Sequence, residues 1–178
     1  MASPTTPPLP SPAELSTLIT RYESLAGLAH AFMADLTPAQ LLSRPADGSW
    51  TIHENVIHLW DSDVQGSDRM KRVASMDTPL LMNYDESAFV RALSYHSQSA
   101  HLAADGYSIN RTLTAQFLRT LPHESFARYG VHSLSGIKTL TMLIQGYIGH
   151  VEHHAKVVSK KRQALGASPL DARWLPQT

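Results

Sequence analysis

From Thr139 to Gly166 the chain repeats apolar residues with the period of an α-helix. Leu140, Leu143, Ile144, Tyr147, Val151 and Val158 fall within roughly 60° of one line on a wheel of about 100° per residue. So long an apolar stripe has to be covered, and other helices cover it most simply. The stripe also carries two histidines. His154 lies inside it and His150 on its edge, while Glu152 and His153 fall well outside. His150 and His154 are four residues apart, so they sit one turn apart on one face, about 6 Å along the axis. That is workable spacing for two ligands of one metal. The plainer alternative is a pair of core-edge histidines satisfied by hydrogen bonds or water. Two uncharged imidazoles facing a core need partners, and a metal supplies one to both. The pattern is not a zincin motif, whose glutamate directly follows the first histidine.

Three further stretches have helical character. Ser11, Pro12 and Glu14 form a capping-box start, and apolar residues from Leu15 to Leu36 keep a helical period, predicting one helix over 12–36. Thr51 and Glu54 open a second helix, 51–75, with Ile52, Val56, Trp60 and Val64 on its apolar side. Asn83, with Glu86 three residues on, predicts the cap of a short helix ending near Ala92. A helix over 98–121 is expected to bury Leu102, Ile109, Leu113, Phe117 and Leu121, with Gly106 costing roughly 1 kcal/mol relative to alanine. Pro122 stops it. Tyr129–His132 and Gly136–Lys138 have the character of a short ribbon. No stretch has the pattern of a longer strand. The fold class predicted is all-α: a four-helix bundle with an extra short helix between helices two and three. Its divisions are an N-terminal lead-in at 1–11, the bundle at 12–166 and a tail at 167–178.

Composition narrows the functions. Lys+Arg and Asp+Glu are both 15, so bulk electrostatics gives no case for nucleic-acid or membrane-surface binding. The absence of cysteine excludes disulfides, thiolate metal sites and cysteine nucleophiles. No apolar run approaches membrane-spanning length and no secretory signal pattern opens the chain, so a soluble cytoplasmic protein is expected.

A third metal ligand is not selected by periodicity. His53 and His58 both lie on the second helix; helical phase favours His53 as inward, and His58 falls on a more polar face with Asp61 three residues on. Four stretches, however, resemble the DinB/YfiT superfamily of small helical metal-binding proteins. They are Gly48-Ser-Trp50 through His58-Leu-Trp-Asp61, then Tyr84-Asp85-Glu86, then Val131-His132 to Gly136, and Thr139-Leu140 leading to Tyr147 and the His150–His154 cluster. The match covers roughly residues 12–163, and the HxxHH form with the His132 loop is most similar to the YfiT-type branch.

The resemblance implies a bundle of that family's type and a divalent metal on three imidazoles. The first ligand follows the helix-opening Trp50 by eight residues, at His58, and the others are His150 and His154. Zn²⁺ or Ni²⁺ suits such a set, with Fe²⁺ or Mn²⁺ as alternatives. It also implies open positions where water or a low-molecular-weight thiol is activated, hence a hydrolase or a thiol S-transferase on a small-molecule substrate, in a chain that could form a homodimer. The alternative is a non-catalytic metal-binding stress-response bundle. Asp61 and His132 are the catalytic candidates, Asp61 as a group orienting an imidazole or water and His132 as a pocket wall. Trp50 is expected as a core anchor, Tyr147 as core and His153 at the surface.

Overall fold

The computed structural model describes residues 8–176 of the chain. The first seven positions of the expected lead-in lie outside the described residues. The helices are α1 (Pro12–Ser24), α2 (Leu28–Met33), α3 (Pro38–Leu41), α4 (Ile52–Ser75), α5 (Glu86–Ala92), α6 (Ala100–Thr120) and α7 (Leu140–Ala164). The bundle is made by α1 with α2, α4, α6 and α7. Among the described residues, no helix is long and apolar enough to cross a membrane.

Local chemistry explains the helix starts. Ser11–Glu14 and Thr51–Glu54 each form the reciprocal capping box, in which the hydroxyl accepts the N3 amide and the carboxylate accepts the cap amide. Thr139 caps α7, and Gly166 past its end adopts φ +77°, the left-handed conformation that terminates helices. The short helix α5 is capped by Asp85, whose carboxylate accepts the Ala88 amide, and not by Asn83. The first predicted helix is two: the chain turns at Leu25–Gly27 and resumes as α2. The described part of the tail packs back. Trp174 lies against the core, and the Arg21 guanidinium donates to the Arg173 and Leu175 carbonyls, both at 2.8 Å.

The largest departure concerns α6. Leu102, Ile109 and Leu113, predicted to be core, are 71%, 60% and 56% exposed. The buried face carries Ala103, Ala104, Tyr107, Arg111, Thr114, Ala115 and Leu118. Hydropathy misplaces this helix because its inner face holds a buried polar cluster centred on Arg111. Arg111 is fully buried; it donates to the Tyr107 hydroxyl at 2.5 Å and the Tyr147 carbonyl at 3.0 Å, and lies 4.0 Å over the Tyr22 ring. Its Nε lies 3.5 Å from the carboxylate of Asp63 on α4, which also accepts from Tyr22 and Asn110. Gly106 on the same helix is a contact position: a Cβ there would meet the Trp60 ring at 3.0 Å.

Two features prepare the site. Between α4 and α7 the approach is close at Gly66, where a Cβ would meet the Tyr147 ring at 2.7 Å. A three-stranded sheet then closes one end. β1 (Leu80–Leu81) runs parallel to β2 (Tyr129–His132), which pairs antiparallel with β3 (Gly136–Thr139), Tyr129 opposite Thr139 and His132 opposite Gly136. The expected ribbon is present and carries His132 and Lys138 to the start of α7.

Candidate metal centre

α4 is buried almost all round, because α6, α7, α2 and α5 all pack against it. His58 therefore needs no apolar stripe to be inside; it has no exposed surface. α7 delivers His154, 8% exposed, and His150 one turn before it, with a side chain 25% exposed. One ring nitrogen from each of His58, His150 and His154 lies within 4.8 Å of the other two. The Nε2 atoms of His58 and His150 are 3.1 Å apart. His53 is turned away, its Nε2 3.1 Å from the Tyr95 carbonyl. The phase that favoured His53 assumed one buried side on a helix that has several.

Neighbouring groups set the protons. Asn55 donates its amide to the Thr51 carbonyl at 2.8 Å, so its Oδ1 is left to accept from His154 Nδ1 at 2.9 Å. That puts the proton of His154 on Nδ1 and leaves Nε2 with its lone pair. His150 Nδ1 lies 3.3 Å from the Ser62 hydroxyl. His58 Nδ1 is buried with no partner. Burial, and then the neighbouring histidines, hold all three imidazoles down to about 3, so they are neutral at physiological pH. Trp50 covers two of them, stacked on His154 and tilted against His58.

This donor set fits a divalent cation. Each neutral imidazole offers one lone-pair nitrogen, and one cation satisfies all three. The Nε2 atoms of His58 and His150, 3.1 Å apart, are close enough to be ligands of one ion. Asn55 on His154 and Ser62 near His150 are partners of the kind that orient metal-bound imidazoles.

A cavity of about 220 Å³ opens beside His150, walled by Ser62, Tyr84, Glu86 and Tyr147 and, further along, Arg69, His132 and Lys138. Glu86, on α5, brings its carboxylate to 3.8 Å from His58 Nε2 and 4.0 Å from His150 Nε2. Burial raises its pKa, against the pull of Arg69. Beyond a helix start and its place in the Tyr84-Asp85-Glu86 stretch of the family resemblance, nothing in the sequence marks Glu86 as a site residue. Its place here comes from α5 docking on α4.

The remaining candidates separate. His132 lines the cavity, and its Nδ1 accepts the Leu134 and Ser135 amides at 3.2 and 3.3 Å, leaving Nε2 as the protonated nitrogen. Asp61 instead accepts the Tyr95 hydroxyl. The imidazole partners found are Asn55 and Ser62, so the proposed orienting role passes to them. Tyr147 is buried, accepts from Arg69 at 2.7 Å and also walls the cavity. His153 is exposed, and Glu152 pairs with Arg21 at 2.7 Å.

Comparison with known proteins gives consistent results. Residues 21–158 match the model of the DinB superfamily. The chain is 30% identical over 136 residues to "Putative metal-dependent hydrolase YfiT" of Bacillus subtilis, covering 75% of each chain. Another putative metal-dependent hydrolase, from Bacillus licheniformis, is 23% identical over 154 residues, covering 86% of this chain and 88% of the relative. The solved structure of YfiT, described as a probable metal-dependent hydrolase with an unusual four-helix bundle topology, superposes with a TM-score of 0.83 at 24% identity. It covers 92% of this chain and 95% of that one.

Proposed function

The chain belongs to the DinB superfamily, and from that premise we propose that it is a metal-dependent enzyme whose divalent ion is held by His58, His150 and His154. The observation that carries this is the converging trio of neutral imidazoles, with His154 locked by Asn55 into the tautomer that turns a lone pair inward. A divalent cation held there would supply Lewis acidity that makes water or a thiol nucleophilic near neutral pH.

The chain's own residues do the rest. His58 and His154 are closed off, so substrate reaches the centre from the side of His150, through the cavity. Glu86 stands at that entrance and takes the proton of the incoming nucleophile, returning it to the leaving group. Tyr147 and Tyr84 wall the path and hold substrate against the centre. The buried Tyr84 hydroxyl has no partner in the protein and is placed to donate to substrate. Similarity to putative metal-dependent hydrolases supports hydrolysis; a low-molecular-weight thiol as nucleophile uses the same groups, with Glu86 deprotonating the thiol.

Assays of ester and amide hydrolysis, and of conjugation to electrophiles with and without glutathione, mycothiol or bacillithiol, separate the two. Glu86→Gln is expected to keep bound metal and lose turnover by about 10²–10⁴-fold. Wild-type turnover in Glu86→Gln, with metal retained, contradicts its role.

A further inference from the structure

The cavity is electrically lopsided. At one end stand His150 and Glu86. Towards the other stands Arg69, only 8% exposed. Its Nη1 donates to the Tyr147 hydroxyl and its Nη2 to the Met82 carbonyl, while its Nε is buried with no partner at all. Among the described residues no carboxylate lies within 4.0 Å of this guanidinium, unlike Arg21, Arg44, Arg72, Arg111, Arg119 and Arg128; Arg162, also buried without one, instead donates to four backbone carbonyls. A guanidinium that buried is normally matched by an anion.

Two more donors share this end. Lys138 on β3 lines the same cavity, half-buried, and none of the described carboxylates lies within 4.0 Å of it. His132 on β2 lines it too, with Nδ1 engaged by the hairpin amides and Nε2 therefore bearing the proton. Asn83 and Ser135 add polar lining. Ser62 beside His150 and Arg69 are seven residues apart on α4, roughly 10 Å along the axis.

We infer that the far end of the cavity is an anion subsite, in which Arg69, Lys138 and His132 receive a carboxylate or phosphate carried by the substrate while its reacting group lies at the histidines. This rests on the proposed function for where the chemistry occurs, but the subsite stands on its own residues. Substrates would be small bifunctional molecules with an oxyacid group at one end and the reactive centre at the other. The neutral Tyr147 and Tyr84 rings lie between.

Titration calorimetry with succinate, inorganic phosphate and uncharged succinamide, into metal-loaded and chelator-treated full-length protein, tests this. Succinate or phosphate is expected to bind both forms and succinamide neither; the ratio of the two affinities identifies the oxyacid. Lys138→Glu, a half-buried position on a hairpin, should weaken anion binding at least tenfold with the melting transition and metal content kept. Arg69→Gln should do the same where it folds. The inference is overturned if wild type binds neither anion, if binding survives Lys138→Glu, or if it occurs only in the metal-loaded form, which would place the anion on the metal. Metal content of the same samples judges the histidine site separately: anion binding in a protein that takes up no metal refutes that site and leaves the subsite standing.

Discussion

Asn55 accepts the Nδ1 proton of His154 across the α4–α7 interface at 2.9 Å, and its own amide is held by the Thr51 carbonyl. The cap of α4 thus fixes the tautomer of a histidine ninety-nine residues away in sequence. Asn55→Ala removes this lock and leaves a buried imidazole N–H unpaired. Metal affinity should fall about 10–100-fold, as on losing other such orienting partners. Competition with a chromophoric chelator measures it; unchanged affinity would show that His154 is oriented by packing alone.

The buried Arg111–Asp63 pair should behave asymmetrically. Both groups are essentially without exposure. Removing one partner, as in Asp63→Ala, leaves an uncompensated buried charge and should cost about 3–5 kcal/mol in denaturant unfolding. Because Arg111 also donates to the Tyr147 carbonyl, one turn before His150 and Val151, the damage should reach the metal centre. Replacing both by apolar residues of similar volume should restore much of the stability.

Much of this arrangement was legible in the sequence, and the failures have physical causes. Capping boxes at Ser11 and Thr51 and the phase of α7 come from local chemistry, and the structure keeps them. The inner face of α6 did not, because Arg111 and Tyr107 are polar by composition and buried by partnership. Periodicity favours His53 over His58, and fails because α4 is buried on several sides and has no single inward face. Only the family resemblance pointed to His58. Glu86 and Arg69 were invisible as site residues because tertiary docking, not spacing, brings them to His150.

Acid should destabilise the metal-free protein through the three histidines. Their folded pKa values lie at about 3 against 6.5 for the free side chain, so between those values the unfolded chain holds more protons. Stability is full above about pH 6.5 and falls as pH drops through the window towards 3, at up to ~1.4 kcal/mol per pH unit for each histidine that the unfolded chain alone protonates. Urea unfolding of chelator-treated protein at pH 7.5, 6 and 5 measures this. The fall should be smaller in His150→Gln; the same slope in both would locate the titration elsewhere.

Two glycines should respond oppositely to alanine. At Gly66 the new methyl would meet the Tyr147 ring, and overpacking should cost about 1–3 kcal/mol. At Gly149 on α7 nothing lies within 4 Å, so the gain in helix propensity should stabilise by up to ~1 kcal/mol. Thermal unfolding of the two variants checks the pair, and equal shifts would contradict the close α4–α7 approach.

The central claim is that His58, His150 and His154 jointly hold one divalent ion. Elemental analysis of purified wild type and of His58→Ala, His150→Ala, His154→Ala and His53→Ala tests it most directly. About one metal per chain is expected in wild type and in His53→Ala, falling severalfold or more in each of the other three. Full metal in all three cluster variants, or loss from His53→Ala instead, would contradict the account.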